Sequence, residues 1–117
     1  MIAAPERPVI AQVGDGSSLY TIQGLWTQAR EGLNITTLVM VNQKYNVLQF
    51  ELMRLRAPVE GANAALTELS GAPINFAQLA MGFGVPAFEA RDVDTLRQAL
   101  DAAFATPGPS LVAVHIS

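Results

Sequence analysis

The stretch PVIAQVGDGSS, Pro8 to Ser18, decides the fold. Pro8 to Val13 is short, apolar and β-branched, the composition of a buried strand. Two glycines around a single acid, Gly14-Asp15-Gly16, then turn the chain. Ser17 or Ser18 is placed to cap a helix start. Leu19, Ile22, Leu25, Trp26 and Ala29 recur at helical spacing, and Gly32 stands where such a helix would stop. ITTLVMVN, Ile35 to Asn42, is a second buried strand. Strand, helix, strand in that order predicts a right-handed parallel crossover.

The same pattern continues along the chain. Tyr45 to Arg56 places Leu48, Leu52 and Leu55 on one helical stripe. APVEGANAALTELSGAP, which follows, is the stretch with the least sign of order. Asn75 is set to cap FAQLAMGFG, and VPAFEA reads as a short strand. DVDTLRQALDAAFATPG begins with acids, carries Leu96, Ala99, Leu100, Ala103 and Phe104 on one face, and stops at Pro-Gly. SLVAVHI is a last buried strand. Four strands separated by helices predict an open, mostly parallel α/β sheet with helices on both faces. Trp26 and Phe104 are expected in the core, as are Met40, Met53 and Met81. Arg54 and Arg56 are expected on a solvated or subunit-facing surface. His115, the only histidine, is expected to be structural.

Bulk composition narrows the function. The 117 residues suffice for one domain with one core. Half are hydrophobic and only 15% are charged, against about 25% in ordinary domains. An alanine-rich buried sheet or a large covered interface would each account for this. The net charge of −3 and the lack of a basic cluster argue against nucleic acid as a partner. No apolar run is long enough for a membrane span. The absence of cysteine removes disulfides and thiolate metal sites and fits a reducing cytoplasm. MIAAPERP lacks the basic-then-apolar order of a secretory leader. It reads as a helix end turning into a strand, so the expectation is a single domain over 1–117 that lacks its first elements.

The chemistry concentrates at two strand ends. In open parallel sheets, ligands bind outside the carboxyl ends of the strands. Asp15 and Asn42 both lie at such ends, on successive strands. A carboxylate and an amide oxygen beside a glycine turn suit a hard divalent cation that also holds a phosphate. The asparagine supplies oxygen without adding negative charge, and Gly14 and Gly16 let backbone approach the phosphate closely. A lone GDG is most often an ordinary turn, and a lone strand-end asparagine is most often a cap. The joint pattern is far more specific. A dinucleotide fold is disfavoured, because leucine occupies position 19 and no acid ends the second strand.

GDGSSLYTIQGLWTQAREGLNITTLVMVNQKYNVLQFE resembles the diphosphate-binding domain of thiamine-diphosphate-dependent enzymes, whose signature is GDG followed at a distance by Asn. The match is similar to the benzoylformate decarboxylase and acetolactate synthase branch, and INFAQLAMGFGVPAFEARDVDTLRQALDAAFATPGPSLVAVHI is similar to its C-terminal end. The resemblance implies thiamine diphosphate and magnesium as cofactors. It implies Asp15, Asn42 and the main-chain carbonyl of Lys44 as metal ligands. Gly16 and Ser17 would donate to the diphosphate, Tyr45 and Asn46 would lie along the cofactor, and Leu48 would face the reacting centre. Asn46 departs from the pattern, since glycine is common there.

In such enzymes a glutamate of a separate pyrimidine domain activates the aminopyrimidine. No glutamate of this chain has that context. The resemblance therefore implies a module of a 2-oxo-acid decarboxylase or carboligase, inactive alone and completed by a pyrimidine domain in the same or another chain, within a homo-oligomer. A separately encoded subunit is one alternative. A non-catalytic interaction module that kept the fold is another, and intact Asp15, Gly16 and Asn42 argue against it.

Overall fold

The computed structural model describes residues 6–116. The strands are β1 Val9–Gly14, β2 Ile35–Val41, β3 Ala87–Ala90 and β4 Ser110–His115. They form one parallel sheet in the order β1-β2-β4-β3. The helices are α1 Asp15–Ser18, α2 Gly24–Arg30, α3 Asn46–Arg54, α4 Ala62–Thr67, α5 Phe76–Gly82 and α6 Val93–Ala105. The expectation for MIAAPERP falls mostly on residues 1–5, outside the described residues.

Side-chain parity builds two cores. Val39, Val41, Leu111 and Ala113 face one side, where Leu25 of α2 and Phe76 and Ala80 of α5 cover them. The alternate residues Leu38, Met40, Val112 and Val114 face the other, against Ala99 and Ala103 of α6. This period of two is what a strand imposes. It yields an α/β sheet with helices on both faces, as the sequence predicts. β4 is central and its residues are almost all buried. Where β2 meets it, Thr36 and Ser110 satisfy each other through their hydroxyls at 3.1 Å.

β1 departs from expectation. It is an edge strand whose residues alternate between partly buried and exposed. Register puts Ile10 and Gln12 on the face of Thr36 and Leu38. The helix on that face, α6, packs over β3 and β4 and leaves Ile10 56% exposed.

The helices also differ in detail. The expected helix from Ser17 to Ala29 is two pieces, α1 and α2, joined by tight turns in which Tyr20, Thr21, Gly24 and Leu25 donate three residues back. Neither serine caps it. The helix begins at Asp15, and the Ser18 hydroxyl donates to the Asp15 carbonyl at 2.7 Å. Gly32 ends α2 as expected. It adopts φ +58° and lets Leu33 N–H reach the Gln28 carbonyl, a left-handed stop that favours glycine. α4 forms inside the stretch with the least sign of order. Asn75 caps α5 by accepting from Gln78 N–H at 2.9 Å, as expected. Asp92 caps α6 in a reciprocal box with Thr95.

Several apolar side chains expected in the core are not there. Trp26, Met53, Met81 and Phe104 are each more than half exposed, and α3 has no buried residue. Arg30 stacks on the Trp26 ring, 4.8 Å from its centroid. Met40 does pack, against the α6 core. Among the described residues no helix is long and apolar enough to cross a membrane.

Candidate functional site

Asp15 stands where β1 becomes α1, and it is only 3% exposed. A buried carboxylate needs partners. Here they are backbone N–H groups. Asn42 N–H donates to Oδ2 at 3.0 Å and Gln43 N–H to the same oxygen at 2.6 Å. Gly16 N–H donates to Oδ1 at 2.8 Å. β1 and β2 are parallel neighbours, so their carboxyl ends open on one edge. That edge is where ligands bind in open parallel sheets. The fold therefore brings Asp15 and Asn42 together, with the Asn42 backbone making the contact.

The turn after β2 is held from three sides. The Asn42 side-chain oxygen accepts from Lys44 N–H at 3.1 Å, which folds the turn on itself. Gln43 has φ +57°, a region that non-glycine residues seldom occupy. Its N–H is held by Asp15, and its carbonyl accepts from Leu69 N–H at 2.7 Å. Tyr45 N–H donates to the Thr67 carbonyl at 2.8 Å, and Lys44 bridges Glu68 in antiparallel fashion. The segment after α4 thus braces the turn from outside.

The glycines play different parts. A Cβ at Gly16 would lie 2.5 Å from Cε1 of the Tyr45 ring, so only glycine fits without displacing that ring. Among the described residues nothing stands within 4 Å of a Cβ at Gly14, and its φ is −75°. No contact among the described residues demands glycine there. Ser17 is exposed, and Asn46 and Leu48 lie exposed on the first turns of α3.

The available oxygens can be counted. A carboxylate has about four acceptor positions and an amide or peptide oxygen has two. Three N–H groups occupy Asp15 and one occupies the Asn42 side chain. Among the described residues none donates to the Lys44 carbonyl. The Asp15 carboxylate, the Asn42 amide and the Lys44 carbonyl thus each keep a spare lone pair, the kind of oxygen donor that a hard divalent cation takes. Among the described residues, no three His, Cys, Asp or Glu side chains gather to hold a metal.

Residues 1–114 match the family model described as "Thiamine pyrophosphate enzyme, C-terminal TPP binding domain". The chain belongs to this family. A Mycobacterium tuberculosis protein, provisionally named as acetolactate synthase large subunit IlvX, is 44% identical over 98% of this chain and 23% of its own length. The benzoylformate decarboxylase of Pseudomonas aeruginosa is 32% identical over 97% of this chain and 20% of its own. The solved structure of a thiamine-diphosphate-dependent 4-hydroxybenzoylformate decarboxylase from Rhodococcus jostii superposes with a TM-score of 0.88 at 28% identity, over 99% of this chain and 21% of that one. The chain thus spans about a fifth of the length of these relatives.

Reading the sequence singles out Asp15, Gly16 and Asn42, which the structure brings to one strand edge. It misses Gln43 and the brace at Thr67 and Leu69. Gln43 carries no signal, since a glutamine in the left-handed region is set by tertiary contacts and not by its own preference.

Proposed function

We propose that this chain is the diphosphate- and magnesium-binding module of a cytoplasmic, homo-oligomeric thiamine-diphosphate enzyme acting on 2-oxo acids, of acetolactate synthase or benzoylformate decarboxylase type. A pyrimidine domain, in the same chain or another, completes it. The observation that carries this reading is the clasp of the buried Asp15 carboxylate by the N–H groups of Asn42 and Gln43. The clasp sets an acid, an amide oxygen and an unengaged carbonyl at one strand edge.

In this reading Asp15, Asn42 and the Lys44 carbonyl hold magnesium. Gly14, Gly16 and Ser17 lie against the diphosphate, Tyr45 and Asn46 lie along the cofactor, and Leu48 faces the reacting centre. When bound, thiamine diphosphate supplies the carbon chemistry. This chain's residues bind and orient. Asp15 neutralises part of the metal charge, and Asn42 adds an oxygen without repelling the diphosphate. Tyr45, packed on Gly16, fixes the wall beside the glycine turn.

Calorimetry tests the reading. Thiamine diphosphate should bind with magnesium present and fail to bind in a chelator. Asp15→Ala should abolish binding, and Asn42→Ala should weaken it while leaving the far-ultraviolet circular dichroism unchanged. Equal binding with and without chelator would overturn the metal-linked site. The chain alone should not turn over pyruvate or benzoylformate, because the activating glutamate belongs to the pyrimidine domain. Measurable turnover would overturn that division of labour.

A further inference from the structure

Residues 67–69 follow α4 and pair with the turn that carries the proposed cation ligands. Lys44 and Glu68 oppose each other in an antiparallel bridge. Two backbone bonds flank it. Leu69 N–H donates to the Gln43 carbonyl at 2.7 Å, and Tyr45 N–H donates to the Thr67 carbonyl at 2.8 Å. In an antiparallel pair of this kind the two opposed residues exchange no bond, and their own N–H and C=O groups point outward. Lys44 obeys the rule. Its N–H meets the Asn42 side-chain oxygen at 3.1 Å, on the side away from Glu68. Its carbonyl, to which no described residue donates, is directed to that same side.

Peptide planarity adds a second constraint. The Lys44 carbonyl and the Tyr45 N–H belong to one trans peptide and point in opposite directions. Holding Tyr45 N–H at the Thr67 carbonyl therefore aims the Lys44 carbonyl away from residues 67–69. The preceding peptide is held at both ends, by Leu69 on its oxygen and by the Asn42 side chain on its N–H. Gln43, clamped between Asp15 and Leu69, keeps a left-handed φ of +57°. A glutamine holds that conformation only where its surroundings impose it.

The brace is itself anchored. Thr67 is buried, and its hydroxyl donates to the Asn63 carbonyl at 2.8 Å and accepts from Gln49 Nε2 at 3.2 Å. Gln49 Nε2 also donates to Glu68 Oε1 at 2.9 Å. Side chains of α3 and α4 thus fix the segment that fixes the turn. We propose that Thr67 and Leu69 are positioning residues for the cation. Their backbone holds the turn so that the Lys44 carbonyl and the Asn42 amide oxygen open on one side. Both act through Gln43, Lys44 and Tyr45, not by contact with the ion. The proposal rests on the cofactor reading and adds to it a segment that carries no ligand of its own.

Calorimetry on the full chain reads the magnesium concentration that half-saturates thiamine diphosphate binding, with each variant kept well below its Tm. Leu69→Pro deletes the N–H that holds the Gln43 carbonyl. Glu68 is already extended, at φ −97° and ψ 139°, the conformation a residue before proline prefers. Leu69→Pro should need about tenfold more magnesium, the worth of one hydrogen bond. Leu69→Ala keeps the N–H and should match wild type. Should Leu69→Pro fail to fold, Thr67→Val takes its place. It removes the anchoring hydroxyl and should raise the requirement severalfold, whereas Thr67→Ser should not. Asp92→Ala, which weakens the α6 cap, should lower Tm and leave the requirement unchanged, so positioning separates from loss of stability. An unchanged requirement in the folded brace variant overturns the positioning role and leaves the cofactor reading standing. So does a rise of equal size in Leu69→Ala or Asp92→Ala. A wild-type chain whose thiamine diphosphate binding is absent or independent of magnesium overturns the cofactor reading, and the positioning role with it.

Discussion

At the scale of single residues, Gly16 and Tyr45 form a pair whose fit can be tested. A Cβ at position 16 would lie 2.5 Å and 2.6 Å from two carbons of the Tyr45 ring, so Gly16→Ala must push the ring aside. Overpacking of this kind costs about 1–3 kcal/mol. The expected outcome is a lower Tm for Gly16→Ala, with most of the loss recovered in the double variant Gly16→Ala/Tyr45→Ala. Additive losses in that double-mutant cycle would show that the ring and the glycine do not act on each other. The same site marks how far the sequence is legible at this scale. Asp15 and Asn42 could be placed together because each ends a strand and strand ends share an edge. The backbone contact between them could not, because it depends on the left-handed φ of Gln43 and its brace at Leu69. Those are consequences of packing.

At the scale of elements, α6 owes its start to Asp92. The Asp92 carboxylate accepts from Thr95 N–H at 2.7 Å and from the Thr95 hydroxyl at 2.8 Å. Those bonds favour the ionised form and hold the Asp92 carboxyl below its ordinary value of 3.8. A depressed carboxylate stabilises the folded state above its unfolded pKa, and that contribution fades as pH falls through the folded value. Asp92→Ala should therefore lower Tm at pH 7, and the gap between wild type and variant should narrow below about pH 3.8. Thermal melts at pH 7 and pH 3 check this, and a gap independent of pH would remove the cap from the account. Acids at a helix start are a readable signal, as is Asn75 before α5. α4 was not readable, because AAL and TEL offer too little apolar periodicity for a helix that rests on its neighbours. The break between α1 and α2 was hidden for a related reason. The periodicity from Leu19 to Ala29 is real, but Asp15 anchors the helix start at the β2 turn, and the chain turns tightly before α2.

At the scale of the whole molecule, the surface is larger than the mass requires. A compact monomer of 12.5 kDa exposes about 6,200 Å2, whereas this chain exposes 7485 Å2. Its radius of gyration is 15.8 Å, against about 13.4 Å for a compact domain of this length. Part of the exposed surface is apolar. Val47, Phe50, Met53 and Leu55 all stand more than half exposed on or just after α3, and α3 packs on α4 rather than on the sheet. Monomers rarely leave apolar patches beyond a few hundred Å2 uncovered. An excess of about 1,300 Å2 exceeds the roughly 800 Å2 per partner that a stable interface buries. Covering the apolar part of that surface favours association by about 25 cal/mol per Å2 before the costs of binding. The isolated chain should therefore self-associate at micromolar concentration, which light scattering coupled to size exclusion would measure. Val47→Glu and Phe50→Glu should shift it to monomer with little change in Tm, because both side chains are already exposed. A wild-type chain that stays strictly monomeric at high concentration would mean that the α3 face is tolerated in water. A variant that unfolds instead would mean that α3 holds the domain together more than its burial indicates.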